Sequence, residues 1–432
     1  VNNTEHRVLD GLAQDQEKNI EFLRKLISFD SQVIGHGLDG KEGKLQHYLA
    51  DWFSKRGYEV DLFEPDNERI AKYPGYSEGH KYDDRPCLVA VLKGTGEGRS
   101  ILLNGHVDTM DPQDKGSWQC DPWQGKISDG KIYGLGATDM KGGLAAMIMA
   151  IECLRKGGLK LGGDVIIECV CDEEGGGNGT LACVDKGYRA DAAIIPEPSS
   201  LQIQPLARGV FLLEVKVYGK SVHASEKWRG VNAIEKMVKI MNSLHELERI
   251  WLGTRKNRLG LERTITYGRI EGGTTANTLA KQCILKCDVK YNPTETGLDG
   301  EEEQIVSEHV QKEIKDWIIG VCQGDPWLRD HLPQLTVYQD VSPFHTDLDH
   351  PFINTVREQA QKVLANAVVS GSRCGSDARH LANIQGIPTI VFGPGDLWNA
   401  HSIDEYIEIE SYLKAVQVLA LSIMKWTEAS KE

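Results

Sequence analysis

Several short runs in this chain are apolar without alternation: Ile101-Leu102-Leu103, the stretch from Asp164 to Cys171, and Ala190 to Ile195. A strand with one wet face alternates apolar and polar residues. One that does not must be covered on both faces, which is the condition of parallel strands flanked by helices. Further strands are expected at Tyr58 to Phe63, Cys87 to Leu92, Ser100 to Leu103 and Thr389 to Phe392. Between them lie helical patterns. Glu17 to Ile27 spaces Ile20, Leu23, Leu26 and Ile27 helically, and Lys44 to Arg56 carries Leu45, Tyr48, Leu49, Trp52 and Phe53 on one face. Met140 to Arg155, His350 to Leu364 and Ile409 to Trp426 complete the set. Strands alternating with helices predict a three-layer α/β domain.

The character changes near Arg208. Val210 to Tyr218 alternates, a long helix is expected over about Val231 to Arg249, and strands follow at Thr264 to Ile270 and Gln282 to Tyr291. Glu301 to Ile319 reads as a charged amphipathic helix. This α+β pattern predicts a domain inserted at about 207–345, leaving a discontinuous α/β domain at 1–206 and 346–432. At 432 residues the chain exceeds the size at which one core stops growing, so two domains are the default.

With 49 basic against 63 acidic residues the net charge is −14, which argues against nucleic acid or an anionic membrane as partner. Val1 to Phe29 has charges every few residues and lacks an apolar core of signal-peptide length. No run of about 18 apolar residues suggests a membrane span. Ten cysteines in so long a chain, several inside apolar strands, are not a disulfide framework. The expected compartment is the cytoplasm.

Acidic and histidine groups punctuate the strand ends, where α/β proteins assemble their sites. His106 and Asp108 follow Ile101-Leu102-Leu103, and residues i and i+2 of an extended segment share a face. His106 can bind a metal while Asp108 orients its ring. Asp139 sits among glycines, and its two oxygens can bridge two cations roughly 3.5–4 Å apart. Glu173-Glu174 precedes Gly175-Gly176-Gly177; in extended backbone one carboxylate would take metal and the other would face water as general base. Glu197 and His401 follow their own strands and can close the two shells. Each residue alone has a plainer reading: a chance His-x-Asp pair, a helix cap, a solvated turn. Solvation does not explain all of them together, and the joint reading is a two-metal site.

The stretches NGHVDT, GLGATDMKGG, CDEEGG, PEPS, GKSVHAS, GGTTANTLA, GSDARHLA and FGPG…AHSIDEY resemble those of the zinc-dependent acetylornithine deacetylase, succinyl-diaminopimelate desuccinylase, aminoacylase and glutamate carboxypeptidase family. The resemblance runs from about residue 20 to the carboxyl end. It implies a two-zinc domain with an inserted lid that mediates dimerisation. One ion would be held by His106, Asp139 and Glu197, the other by Asp139, Glu174 and His401, with cobalt or manganese as alternatives to zinc. Asp108 would orient His106, Glu173 would be the general base, and the peptide bond after Asp139 would be cis. The resemblance further implies that His223 polarises the scissile carbonyl, in some members from the neighbouring subunit, and that Asn277 contacts substrate. Arg379 is a candidate partner for a substrate carboxylate. Many members carry Asp-x-Arg-x-x-Pro on a lid strand; here Lys290 stands in the arginine's place, a point charge instead of a planar fork.

The expected reaction is metal-dependent hydrolysis of an N-acyl (acetyl, succinyl or formyl) amide on an amino acid or amine. Its runner-up is a carboxypeptidase or dipeptidase using the same residues. A non-catalytic binding protein on this fold is the remote alternative, opposed by the retained Glu173. No Gly-x-Ser-x-Gly supports a serine hydrolase, and the run from Gly175 lacks the Lys-Ser/Thr of a phosphate loop.

Overall fold

A computed structural model of the protein describes residues 2–298, 301–428 and 430–431. Val1 and Glu432, the ends of the expected α/β domain, lie outside them. The principal strands are β1 (Glu59–Phe63), β2 (Cys87–Leu92), β3 (Ile101–His106), β4 (Val165–Val170), β5 (Ala193–Ile195), β6 (Gly209–Tyr218), β7 (Thr264–Gly272), β8 (Gln282–Tyr291), β9 (Gln334–Val341) and β10 (Thr389–Val391). The principal helices are α1 (Asn3–Gln14), α2 (Gln16–Ile27), α3 (Gly43–Ser54), α4 (Gly142–Lys156), α5 (Asn178–Lys186), α6 (Ala233–Thr254), α7 (Ser307–Gln323), α8 (Pro351–Ala360), α9 (Ala378–Gln385) and α10 (Ile409–Trp426). The chain divides into two compact units. One comprises Val1–Leu206, His345–Ser372 and Ser376–Glu432; the other comprises Ala207–Phe344 with Arg373–Gly375.

The first unit is built on a six-stranded sheet in the order β10-β5-β3-β4-β2-β1. β10, β5, β3 and β4 run parallel, while β2 is antiparallel to β4 and β1 antiparallel to β2. Every residue of β3, β4 and β5 is buried, as their unbroken apolar runs require. Ile101, Leu103, Val165 and Ile167 point into the main core, with α4 and α10 and residues of α1, α2, α3 and α8. α4 is buried from Gly142 through Leu154, the behaviour of a helix apolar all round. On the other face Asn104 Nδ2 donates both to Glu168 Oε2 and to Thr180 Oγ1 of α5. Helices therefore cover both faces, and the architecture is the expected three-layer α/β.

The second unit is an antiparallel sheet in the order β7-β8-β6-β9 with α6 and α7. β6 alternates buried and half-buried residues as far as its last residue, Tyr218, which is exposed. α6 buries Ala233, Met237, Ile240, Leu244, Leu247 and Trp251, one stripe at helical spacing that joins the same core as Phe211, Val215 and Leu285 of the sheet.

Several elements differ from the sequence reading. α4 begins at Gly142, because Ala137–Lys141 forms a wide turn in which Asp139 and Met140 leave helical backbone. The amides of Gly136, Thr138 and Asp139 are taken by the Glu405 side chain, so they do not feed a helix ladder. The charged helix starts at Ser307, not Glu301, since Glu302–Gln304 pairs as a short strand with Thr294–Thr296. α1, capped by Asn2 and Glu5, and the short α5, α9 and β9 were not anticipated. No helix among the described residues is long and apolar enough to cross a membrane.

Candidate functional site

Four parallel strands deliver their carboxyl ends to one edge of the sheet, where open α/β sheets bind ligands. His106 is the last residue of β3; Glu173 and Glu174 follow β4, Glu197 follows β5, and His401 follows β10. Asp139 comes from the turn before α4, and its peptide bond to Met140 is cis, as the resemblance implied.

His106 Nε2 lies 3.1 Å from Asp139 Oδ1 and 3.6 Å from Glu197 Oε1. His401 Nε2 lies 3.3 Å from Asp139 Oδ2 and 2.8 Å from Glu174 Oε1. Asp139 thus turns one oxygen to each histidine. Two compact donor groups form, each within 4.8 Å: His106, Asp139 and Glu174, and His106, Glu173 and Glu197. These groups cut across the expected ligand sets, because Glu173 stands beside Glu197 and His106. Glu173 and Glu174 occupy a turn, not the extended backbone expected of them: Gly176 N donates to Glu173 O at 2.8 Å.

The histidine geometry tests the site for cations. His106 Nδ1 is 2.9 Å from the backbone carbonyl oxygen of Asp108. A carbonyl only accepts, so Nδ1 carries hydrogen and Nε2 is the atom presented to Asp139 and Glu197. A neutral ring would aim a lone pair at two carboxylate oxygens; a cation between them turns that repulsion into ligation. The charges agree. Burial pulls His106 down, but Glu197, Asp139 and Asp108 outweigh it and hold the ring well above the usual histidine range. Hydrogen bonds to Asp139 and Glu174 hold His401 up at about 10. Burial, reinforced by Asp139, pushes Glu197 and Glu174 above the carboxylate range; burial and Asp377 do the same to Glu173. Imidazole nitrogens and carboxylate oxygens crowded in this way suit a pair of divalent ions.

Asp108 departs from expectation. Its carboxylate is 3.7 Å from His106 Nδ1 and instead accepts from Glu173 N at 3.3 Å and Glu174 N at 3.0 Å. Because β3 ends at His106, the chain turns and brings the Asp108 carbonyl, not its side chain, to the ring. Burial, with Glu42 and Glu174 nearby, pushes its carboxyl up to about 8 against the pull of His106.

Arg379 is also brought to this edge, but Nη1 donates to Ser376 O at 3.0 Å and Nη2 to Gly176 O at 2.8 Å. It clamps the Glu173–Gly177 turn from the α9 side. Glu405, which holds the Asp139 turn through three amides, was missed in the sequence; the one available signal was a carboxylate inside the AHSIDEY stretch.

His223, Asn277 and Lys290 belong to the second unit. His223 is exposed, and its Nδ1 accepts from Ser225 N at 3.3 Å and pairs with Ser225 Oγ at 2.8 Å, so hydrogen sits on Nε2. Asn277 O accepts from Ala224 N at 2.8 Å, which places these two residues on neighbouring segments. Lys290 Nζ is 2.9 Å from both carboxylate oxygens of Asp288.

Residues 102–425 match the peptidase family M20/M25/M40. The chain belongs to this family. It is a hydrolase of the M20 group, similar to several characterised members. The chain is 31% identical over 444 residues to the N-formyl-4-amino-5-aminomethyl-2-methylpyrimidine deformylase of Bacillus subtilis (strain 168), covering 97% of each sequence. It is 31% identical over 383 residues to the acetylornithine deacetylase of Vibrio vulnificus (strain CMCP6), covering 88% of this chain and 90% of that one. In fold it is similar to a dinuclear metal-binding M20 peptidase from Bacillus subtilis, with a TM-score of 0.63 and 16% identity, covering 96% of this chain and 99% of the other.

Proposed function

We propose that this M20 hydrolase cleaves the N-acyl amide of a small amine with two zinc ions held on Asp139. The observation that carries this reading is the placement of His106 Nε2 and His401 Nε2 at 3.1 and 3.3 Å from opposite oxygens of that carboxylate. His106, Asp139 and Glu197 would hold one ion, and Asp139, Glu174 and His401 the other; cobalt or manganese suits the same donors. Bound there, the ions would polarise the acyl carbonyl and lower the pKa of water to about 7. Glu173 takes the proton of the attacking water as the carbon–oxygen bond forms, then gives it to the nitrogen as the carbon–nitrogen bond breaks. The Asp108 carboxylate fixes the turn on which Glu173 acts. His223 offers its Nε2–H to the developing oxyanion, a role worth about 3–4 kcal/mol where such donors have been removed. Asn277 is assigned to substrate contact beside it.

The leaving amine is proposed to lack a carboxylate handle. Lys290 is neutralised by Asp288, and Arg379 spends Nη1 and Nη2 on backbone carbonyls, so neither candidate carboxylate receptor stands unengaged. The deformylase relative, named for an aminopyrimidine, fits that chemistry.

A homodimer through the second unit is proposed from Ile234 and Val238 of α6 and Ile270 of the edge strand β7, which are 37, 46 and 49% exposed. A cytoplasmic setting is proposed, in keeping with cysteines buried as thiols inside apolar strands, such as Cys87, Cys169, Cys283 and Cys287.

The test is amine release from N-formyl and N-acetyl amines, with and without an α-carboxylate, against a dipeptide set. The expected order places N-formyl-4-amino-5-aminomethyl-2-methylpyrimidine and other carboxylate-free amides first. A chelator should abolish turnover, and zinc or cobalt should restore it. Dipeptides turned over faster than every N-acyl amine would overturn the substrate assignment; full activity in metal-depleted protein would overturn the metal assignment.

A further inference from the structure

The turn that carries Glu173 and Glu174 is closed by its own backbone bonds, Gly176 N to Glu173 O at 2.8 Å and Gly177 N to Asp172 O at 2.9 Å, and Asp108 and Arg379 hold its middle. It runs into Gly175-Gly176-Gly177, where φ is +135° at Gly176 and +89° at Gly177, and glycine backbone is the most conformationally free. A catalytic carboxylate must nonetheless be held within about 0.5 Å of its productive position. Bonds within the turn shape it, but its two ends must also be anchored to the rest of the unit.

We propose that the connection between β1 and β2, residues 64–86, is a positioning strap for the hydrolytic reaction, acting through Asp172 and Asn178 at the two ends of this turn. The inference rests on the assignment of Glu173 as general base. Asp172 immediately precedes Glu173, is fully buried, and holds left-handed backbone at φ +64°, a conformation that a non-glycine residue adopts at a cost. Its Oδ2 accepts from Tyr82 Oη at 2.6 Å and is 2.7 Å from His80 Nδ1. Its Oδ1 accepts from Arg85 Nη2 at 3.3 Å. Arg85 is itself buried, forks onto buried Glu42, and donates Nη1 to Gly37 O and Lys81 O. At the far end, Ser77 N donates to Asn178 Oδ1 at 2.9 Å while Asn178 Nδ2 donates back to Ser77 O at 2.8 Å and to Tyr82 Oη at 2.7 Å.

Tyr82 Oη therefore ties Asp172 and Asn178 to each other. The layer is close-packed as well: a Cβ on Gly37 would stand 2.6 Å from both Gly175 Cα and His80 Cε1. The strap has no slack in which the turn could shift and still keep these bonds. His80, Tyr82 and Asp172 touch none of the proposed reacting atoms; they are positioning residues that act through Glu173.

Tyr82→Phe removes the shared hydroxyl and leaves the ring's volume. Its kcat is expected to fall by about tenfold to a hundredfold, the scale of an ångström-level misplacement, with KM changed less than about twofold. His80→Gln should behave alike. Tyr58→Phe is the control: Tyr58 Oη donates to Glu152 Oε1 at 3.0 Å, another buried tyrosine–carboxylate bond of the same unit. It should lower Tm comparably and leave kcat intact. All assays use the metal-loaded full chain at temperatures well below every Tm. Wild-type kcat in a folded Tyr82→Phe or His80→Gln protein would overturn the proposal, as would an equal kcat loss in Tyr58→Phe. Glu173→Gln is run in parallel: if it remains active, the assignment of the base has failed, and that result is separate from the strap.

Discussion

Replacing Glu173 by glutamine separates two roles that the geometry allows for this side chain. Glu173 lies with His106 and Glu197 in one compact donor group, so it is placed either to ligate or to move a proton. Glutamine keeps the volume and both backbone amides that donate to Asp108, at 3.3 and 3.0 Å. The turn should therefore persist. Burial and the nearby charge of Asp377 already push the Glu173 carboxyl above its ordinary range, so a neutral amide removes an unfavourable charge and the metal-free Tm should be unchanged or higher. What is lost is proton transfer, typically 10²–10⁴-fold in kcat, or about 2.7–5.5 kcal/mol of barrier. The assay is steady-state kinetics beside metal analysis of the same sample. The expected result is kcat down by that factor, KM little changed, and the metal stoichiometry of the wild type. Near wild-type turnover would refute the base. Loss of one ion per chain in step with activity would refute its separation from the ligands.

Two further outcomes test the surroundings. Burial, with Asp377 near it, pushes Glu168 up to about 8 despite a hydrogen bond from Asn104, against an ordinary 4.5. Folding then takes up a proton between those values, so this group's stabilisation is full below about pH 4.5, falls as pH rises, and is spent above about 8. Glu168→Gln cannot lose that proton; the difference in Tm, variant minus wild type, should grow across the window and level off near pH 8, and parallel Tm–pH curves would refute the assignment. Gly143→Ala would drive a methyl into the Pro196 carbonyl oxygen, so α4 and the end of β5 must separate and Glu197 must move. Overpacking of this kind costs about 1–3 kcal/mol, and we expect a lower Tm together with weaker metal binding by calorimetric titration.

The fold was legible where burial is two-sided or strictly periodic. β2, β8 and α10 begin and end at the residues expected, because Cys87–Leu92 and Gln282–Tyr291 pattern as strands and Ile409–Trp426 as a long apolar helix. β9 escaped because Gln334–Val341 is an edge strand with no fully buried residue, and only half-buried Leu335 and Val337 pack against the core, too short an apolar pattern to announce a strand. α5 and α9 escaped because they are short, nine and eight residues, and are held by polar side chains as much as by core packing. The start of α4 moved because a glutamate more than two hundred and sixty positions away holds the amides of the turn before it, in which Asp139 and Met140 leave helical backbone.

The same division runs through the site. Metal ligation demands particular side chains, so His106, Asp139, Glu173, Glu174, Glu197 and His401 could be picked out by type and by position after strands, and the structure does bring them to one edge. Their supports work through the backbone, which every residue possesses. The ring of His106 is oriented by a carbonyl, the Glu173–Glu174 turn is held by its own amides on Asp108, and Arg379 grips the carbonyl of Gly176. Such bonds leave no residue type to recognise at the backbone partner, and the side-chain partner can be read for a different task. Arg379 was read as a carboxylate receptor for this reason. A guanidinium suits a substrate carboxylate and a backbone carbonyl equally well in composition, and nothing in the sequence marks the Gly176 carbonyl that Nη2 takes. The chemistry of this hydrolase is therefore written in its side chains, whereas the precision with which those side chains are held is written in the main chain around them.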